Sequence, residues 1–195
     1  QNDINLKDTV LALPILEMKH YLYLNGEFTS LISGKTYSFS NGLEAELLPF
    51  RIEERTNVMK IFFYNQGECP LKIKLFVENH MKGEGDCFAF VSPKRDVLFF
   101  TNNSSLYVAS GIFQERSLNQ YGILPSRNLW KGLREGQIPF SPLGMGEVAG
   151  LYTLEKVLLP GNRASAYTWT IGSDTMSEQS LLELDNQLKT ALAFL

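Results

Sequence analysis

The sequence is poor in the residues that carry most redox and nucleophilic chemistry. It has two cysteines, two histidines and two tryptophans among 195 residues. Two cysteines cannot build a disulfide scaffold, and two histidines make a metal cluster a poor fit. Excess positive charge is absent too. The 18 Lys and Arg face 21 Asp and Glu, a net charge of −3, and Lys72, Lys74, Lys94 and Arg95 are scattered along the chain. This excludes the electrostatic footprint of a nucleic-acid partner. No apolar run nears the roughly 20 residues a membrane helix needs, so no membrane partner is expected. The opening stretch "QNDINLKDTVLALPIL" lacks the basic start and long apolar block of a signal peptide. It also lacks Met, which fits an excised or processed piece of a longer protein.

What is present is ordinary globular composition, 44% hydrophobic and 20% charged, enough for one domain of two packed layers. Strand signals dominate. "YLYLNGEFTSL" places two short extended runs around Asn25-Gly26, a dipeptide that accepts positive φ in a tight hairpin. "YSFSNGLEAELLPFRIEER" repeats the device at Asn41-Gly42. "NVMKIFFYNQ" and "PLKIKLFVENH" read as a hairpin through Gly67-Glu68. In the second of these runs Leu71, Ile73, Leu75 and Val77 alternate with Lys72, Lys74, Phe76 and Glu78, which predicts one buried face and one mostly wetted face. "CFAFVS", "DVLFFTN" and "SLYVASG" continue the series, turning at Ser92-Pro93 and Asn102-Asn103. If "CPLKIKLFVENH" and "CFAFVS" pair through "MKGEGD", Cys69 sits about 10 residues, roughly 30 Å, from Cys87. That is beyond disulfide reach. Both are expected as reduced thiols, which suits a cytoplasmic location.

Asn128 to Gly150, "NLWKGLREGQIPFSPLGMGEVAG", has neither the alternation of a strand nor the stripe of a helix. Beyond it, "GEVAGLYTLEKVLL", the turn "PGNR" and "SAYTWTIGSD" resume the strand pattern. The period then changes in "TMSEQSLLELDNQLKTALAFL". Leu181, Leu184, Leu188, Ala191 and Leu195 form a stripe with Leu192 beside it, an amphipathic helix of about five turns. Thr175 and Glu178 fit a capping box, with Asp174 as the rival cap. The expected architecture is mostly β, an antiparallel two-sheet β-sandwich over residues 1–174, followed by a C-terminal helix over 175–195.

Catalytic signals are weak. Nucleophilic catalysis needs Ser or Cys served by a base, yet neither histidine lies near a GxSxG-type elbow. His80 reads as an exposed residue of a hairpin loop, and His20 as a strand residue in "EMKHYLYL". "GLREGQIPFSPLGMG" has glycines but neither a Gly-Lys-Ser/Thr nor a following helix, so it makes no phosphate cradle. Paired carboxylates of the glycosidase kind can be picked out at Glu53 and Glu54, Glu44 and Glu46, or Glu135 and Glu147. With 21 acidic residues such pairs arise by chance. Glu44 and Glu46 share a strand face directed at water. Asn102-Asn103-Ser104 and Asn103-Ser104-Ser105 match a glycosylation pattern but serve better as turn formers. No catalytic residue, metal ligand or cofactor is assigned. The binding candidates are Trp130, Tyr121, Glu135 and Glu147, with Phe140 nearby. Trp and Tyr faces stack on sugar rings, but the favoured expectation for Trp130 is a plug at one end of the sandwich core, because large aromatics more often anchor long loops than decorate them.

From about Phe62 onward the order of elements resembles the N-terminal β-domain of bacterial and archaeal glucoamylase-like enzymes of glycoside hydrolase family 15. The segments that carry the resemblance are "FFYNQGECPLKIKLF", "VSPKRDVLFFTNNSSLYVASG", "LWKGLREGQIPFSPLGMGEVAGLYTLEKVLLPG", "SAYTWTIGSD" and "LLELDNQL". Trp130, Gly136, Gly144 or Gly146, Trp169 and Gly172 stand at the matching positions. The family's acidic residues after its Trp are replaced here by Lys131, Gly132, Leu133 and Arg134, and Glu135 alone is kept. The resemblance implies a supersandwich similar to galactose mutarotase, with the hydrolytic carboxylates in a separate helical barrel. It therefore implies a non-catalytic domain whose partner is that barrel or an oligosaccharide. A free-standing carbohydrate- or protein-binding module is the alternative. An epimerase of mutarotase type would want histidines in the sheet concavity, where neither histidine is well placed.

Overall fold

The computed structural model describes residues 16–81, 87–102, 105–130, 133, 136–175 and 177–195. Expectations that rest on residues 1–15, on 82–86, on Asn103 and Ser104, or on Lys131, Gly132, Arg134 and Glu135 lie outside the described residues.

Thirteen strands, one α-helix and one short 3-10 helix (Ser126–Asn128, after β10) are described: β1 Leu16–Leu24, β2 Glu27–Leu31, β3 Thr36–Ser38, β4 Leu43–Ile52, β5 Thr56–Asn65, β6 Leu71–Met81, β7 Phe88–Ser92, β8 Val97–Thr101, β9 Leu106–Phe113, β10 Tyr121–Pro125, β11 Leu143–Met145, β12 Val148–Leu158, β13 Arg163–Ser173 and α1 Glu178–Leu192. They form a five-stranded sheet in the order β10-β12-β6-β1-β2 and an eight-stranded sheet in the order β11-β7-β8-β9-β13-β5-β4-β3. The pairings are antiparallel. The two-sheet sandwich with a C-terminal helix is the architecture expected.

The core lies between the sheets and follows from the period of two along each strand. Leu22, Ile73, Leu75, Val77 and Leu154 from the five-stranded sheet meet Ile61, Phe63, Ala109, Phe113 and Ala166 from the other. The turn at Asn25-Gly26 forms as expected, with φ of 51° and 80°. Asn41-Gly42 turns β3 into β4, where the Gly42 N–H donates to the Phe39 carbonyl at 3.0 Å.

Two expected hairpins are instead crossings between sheets. β5 belongs to the eight-stranded sheet and β6 to the five-stranded one, so Gly67-Glu68 carries the chain across the core. The reason lies in Asn65, which is fully buried. Its Nδ2 donates to the Cys69 and Leu158 carbonyls, each at 2.9 Å, and its Oδ1 accepts from the Gly67 N–H at 2.9 Å. Its main chain also bonds Asn162 and Gly161 in the β12–β13 connection. One side chain thus satisfies the polar groups of two neighbouring crossings, which a sheet ladder would otherwise have to do. β6 and β7 also lie in different sheets. Cys69 is exposed, Cys87 is buried, and both are free thiols. His80 sits within β6 opposite Ala149 and Glu17 rather than in a loop.

The wetted face expected on β6 is covered. Phe76 is fully buried and Lys74 nearly so, because the segment after β10 folds back over the outside of the five-stranded sheet. Leu129, Leu133 and Ile138 are buried there against Phe76, Ala149 and Leu151. That segment is not strandless throughout. β11 pairs with β7 at the edge of the eight-stranded sheet, and β12 begins at Val148.

α1 covers the outer face of the eight-stranded sheet, where Leu181 and Leu192 bury against Val108, Ile112, Trp169 and Ile171. Its cap is Ser177, whose Oγ accepts from the Ser180 N–H at 3.3 Å. The Thr175–Glu178 box does not form, and Asp174 pairs instead with Arg55 at 3.0 Å. The buried line runs through Leu181, Asp185 and Leu192, while Ala191 and Leu195 are exposed.

Gly150 on β12 marks how closely the layers approach. A Cβ there would stand 2.4 Å from Phe100 Cζ and 2.7 Å from Leu98 Cδ2. Gly150→Ala is expected to cost roughly 1–3 kcal/mol through overpacking, read as a lower urea midpoint. An unchanged midpoint would mean that Phe100 swings aside freely.

Candidate functional site

The outer face of the five-stranded sheet concentrates the polar and aromatic chemistry of the chain. β1 and β2 present Tyr21, Tyr23 and Phe28 to it, and β6 presents Lys74, Phe76 and Glu78. The covering segment adds Trp130. The ring centroids of Trp130 and Tyr21 lie 4.5 Å apart in a T-shaped contact, and those of Trp130 and Phe28 lie 5.0 Å apart. Trp130 keeps 39% of its surface exposed. It therefore sits on the outside of the sheet rather than at an end of the core between the sheets. Beside it the Tyr21 hydroxyl donates to Glu78 Oε2 at 3.1 Å. Burial, then the charges of Glu78 and Glu17, hold that hydroxyl protonated.

Towards β10 the same face buries an ionic network beneath the covering segment. Glu155 on β12 accepts from Thr153 Oγ1 at 2.8 Å, from Gln120 Nε2 at 3.3 Å and from Asn119 Nδ2, and Lys72 Nζ stands 3.5 Å from its Oε1. Gln120 also accepts the Ile138 N–H at 2.9 Å, which fastens the covering segment to the sheet. At Gly136 the segment passes so close that a Cβ would lie 2.7 Å from the Tyr23 ring. Lys74 Nζ lies 5.7 Å from the Tyr23 ring centre and 5.5 Å from that of Phe76. Burial lowers the Lys74 pKa, and Glu155 opposes that shift. For Glu155, burial works to raise the pKa, but the bonds from Asn119 and Thr153 with the charges of Lys74 and Lys72 hold it below its ordinary value. A carboxylate engaged by so many donors is an anchor, not a proton acceptor.

The predicted binding residues do not converge. Tyr121 lies on β10 opposite Tyr152 and packs towards the inter-sheet core, with Phe140 6.0 Å away. This is the other side of the sheet from Trp130. Glu147 pairs with Arg127 at 3.2 Å near the root of the covering segment, and both are well exposed. Glu135 lies outside the described residues. Among the described residues no group of three His, Cys, Asp or Glu could hold a metal ion. Sequence reasoning missed Glu155, Gln120, Asn119 and Lys74. Thr153 and Glu155 do alternate as polar residues in "LYTLEKV", but an alternation alone reads as a solvated face.

His20 is buried between the sheets, 2.8 Å from Thr168 Oγ1. Burial keeps its imidazole neutral, with the pKa pushed down to about 3 from its ordinary 6.5.

No protein-family model and no curated protein matches the chain in sequence. Solved structures do match in shape. The family GH92 inverting mannosidase BT2199 from Bacteroides thetaiotaomicron VPI-5482 aligns with a TM-score of 0.50 and 12% identity, over 91% of this chain and 25% of that one. The family GH92 α-mannosidase BT3965 from Bacteroides thetaiotaomicron aligns at 0.41 and 11%, over 84% and 24%. The polysaccharide lyase BACCELL_00875 aligns at 0.40 and 14%, over 85% and 27%. The chain spans about a quarter of the length of these structures. The first likeness shows a shared β-sandwich fold. Among the described residues no helix is long and apolar enough to cross a membrane.

Two pH effects follow. Glu155 contributes stability that is present above its unfolded pKa of 4.5 and is lost as pH falls through its lower folded value. Glu155→Gln should cost about 1–3 kcal/mol at neutral pH and flatten the unfolding profile below pH 4.5. His20 acts in a higher window. The unfolded chain takes up a proton near pH 6.5 and the folded chain near pH 3, so stability is lost as pH falls between these values. The loss reaches roughly 4–5 kcal/mol at most. Chemical denaturation of His20→Gln against the parent should show a shallower decline across that window.

Proposed function

We propose that this chain is a non-catalytic β-sandwich domain of a larger glycoside hydrolase, supporting carbohydrate hydrolysis and holding saccharide at the Trp130 face. The observation that carries the reading is the half-exposed indole beside the Tyr21–Glu78 pair. An aromatic plate next to a hydroxyl and a carboxylate suits a sugar ring, whose apolar face stacks while its hydroxyls donate. The fold likeness supports the setting. Nearly the whole chain aligns with about a quarter of a mannosidase, as expected of one domain of a larger protein. The finer assignment to glycoside hydrolase family 15, with its mutarotase-like supersandwich and helical barrel partner, rests on the sequence resemblance. Free thiols at Cys69 and Cys87 suit a reducing compartment such as the cytoplasm. A free-standing carbohydrate- or protein-binding module uses the same face without the barrel.

The two tryptophans make the test direct, because Trp169 is fully buried and saturable emission changes report on Trp130. Titration with mannobiose and with maltose should give such a change for one of them, with Trp130→Ala weakening binding at least tenfold. The same substitution should cost less than the roughly 3–5 kcal/mol of truncating a buried Trp. Absence of any saturable change with either sugar would overturn the binding role. Turnover of either sugar by the purified chain, lost on changing one carboxylate, would overturn the non-catalytic reading.

A further inference from the structure

The chain has two Asn-Gly steps, Asn25-Gly26 and Asn41-Gly42, and the fold treats them in opposite ways. Both lie in turns, and both glycines have positive φ, 80° and 88°. In such a step the missing Cβ of glycine lets its N–H approach the preceding asparagine side chain. At Asn41 that approach is blocked. The Gly42 N–H donates to the Phe39 carbonyl at 3.0 Å, and Asn41 Oδ1 accepts from the Leu43 N–H at 3.1 Å. Gly42 is also wedged against the β5–β6 crossing, where a Cβ would stand 2.5 Å from the Gly67 nitrogen. The attacking and attacked groups are both held in place.

Asn25-Gly26 has none of these restraints. Both residues are exposed, and the space that a Gly26 Cβ would fill is open. Among the described residues no hydrogen bond holds the Asn25 side chain or the Gly26 N–H. The turn lies at the tip of the β1–β2 ladder, beyond its last pair of Leu24 and Glu27, where local opening costs least. We propose that Asn25 is a spontaneous deamidation site. The Gly26 nitrogen bonds to Asn25 Cγ, the Cγ–Nδ2 bond breaks, and ammonia leaves with the proton of the Gly26 N–H. Water then opens the cyclic imide at either carbonyl, giving aspartate or isoaspartate. Isoaspartate adds one carbon to the backbone of a tight turn whose length sets the register of the hairpin. Tyr23 pairs with Phe28 one step further in, and Phe28 lies 5.0 Å from Trp130. The isoaspartyl product therefore loosens one support of the indole. This inference does not depend on what the Trp130 face binds.

The test ages the parent protein in warm, mildly alkaline buffer and follows both steps by peptide mapping, with isoaspartyl methyltransferase labelling to identify isoaspartate. In the folded protein Asn25 should convert at least roughly tenfold faster than Asn41, whose turn must first break two hydrogen bonds. In urea the two should convert at similar rates, which assigns the difference to the fold. Equal rates in the folded protein or faster conversion at Asn41 would overturn the proposal. So would an Asn25 that stays intact while the urea-unfolded chain converts. None of these needs a variant. Trp169 is fully buried, so a changed emission of the isoaspartyl form reports on Trp130. Asn25→Asp, which adds the charge without the extra backbone carbon, should keep the emission of the parent. Unchanged emission in the isoaspartyl form, or an equal change in Asn25→Asp, would overturn the link from the turn to the indole.

Discussion

Trp169 stands on the outward face of β13 with no exposure to solvent, so another layer has to lie over it. α1 is that layer, and the indole fixes how it lies. Trp169 Nε1 donates to Asp185 Oδ1 at 2.9 Å, and Asp185 pairs with Lys189 at 2.8 Å. Lys189 also donates to the Arg95 carbonyl at 2.8 Å and the Asp96 carbonyl at 3.2 Å in the β7–β8 turn. Burial pushes the Asp185 carboxyl above its ordinary range, while Lys189 and Trp169 pull the other way. A buried indole N–H needs an acceptor and a buried carboxylate needs donors, and each solves the other's problem. The helix is thereby rotated so that Asp185, a charged residue, stands on its buried line.

The same constraint recurs on the opposite side of the molecule. The five-stranded sheet also carries apolar residues on both faces, and its outer layer is an irregular segment instead of a helix. A helix satisfies its own main chain, whereas an irregular cover must find partners for its exposed N–H and C=O groups. Gln120 supplies one for Ile138, and Ser126 donates to the Glu147 carbonyl from both its N–H and its hydroxyl, at 3.0 and 3.1 Å. Glu155 in turn holds Gln120 in place. The buried carboxylate is best understood as the clamp of this cover, with the apolar contacts of Leu129, Leu133 and Ile138 supplying most of the attraction.

The parts of the fold legible in the sequence are those set by local physics. Positive φ at Asn25 and Gly26 and the period-two alternation of each strand are properties of a few neighbouring residues. The sandwich class follows from them. Sheet membership is not local. Gly67-Glu68 resembles a hairpin turn until Asn65 is known to reach the carbonyls of Cys69 and Leu158, the latter 93 positions away. The face of Lys72, Lys74 and Glu78 reads as wet because lysine and glutamate usually are. What buries Lys74 comes from beyond Tyr121, and no pattern within β6 announces it. The candidate site was legible in part for this reason. Trp130 stands out by rarity, while Tyr121 and Glu147 group with it only by closeness in sequence, which crossing strands do not preserve.

Because both sheets are covered outside and filled inside, the surface left for recognition is narrow. α1 occupies the centre of one outer face, and the covering segment occupies much of the other, stopping where Trp130 meets Tyr21 and Phe28. A half-exposed indole at that margin does two jobs that usually conflict. Its ring contacts anchor the cover, and its remaining surface stays open to solvent. On the proposed reading a sugar would stack on an indole already held by Tyr21 and Phe28, and preorganisation of this kind lowers the entropic cost of binding. On that reading, the covering layer that buries the outer face of the sheet also sets the aromatic margin on which a flat apolar face would stack.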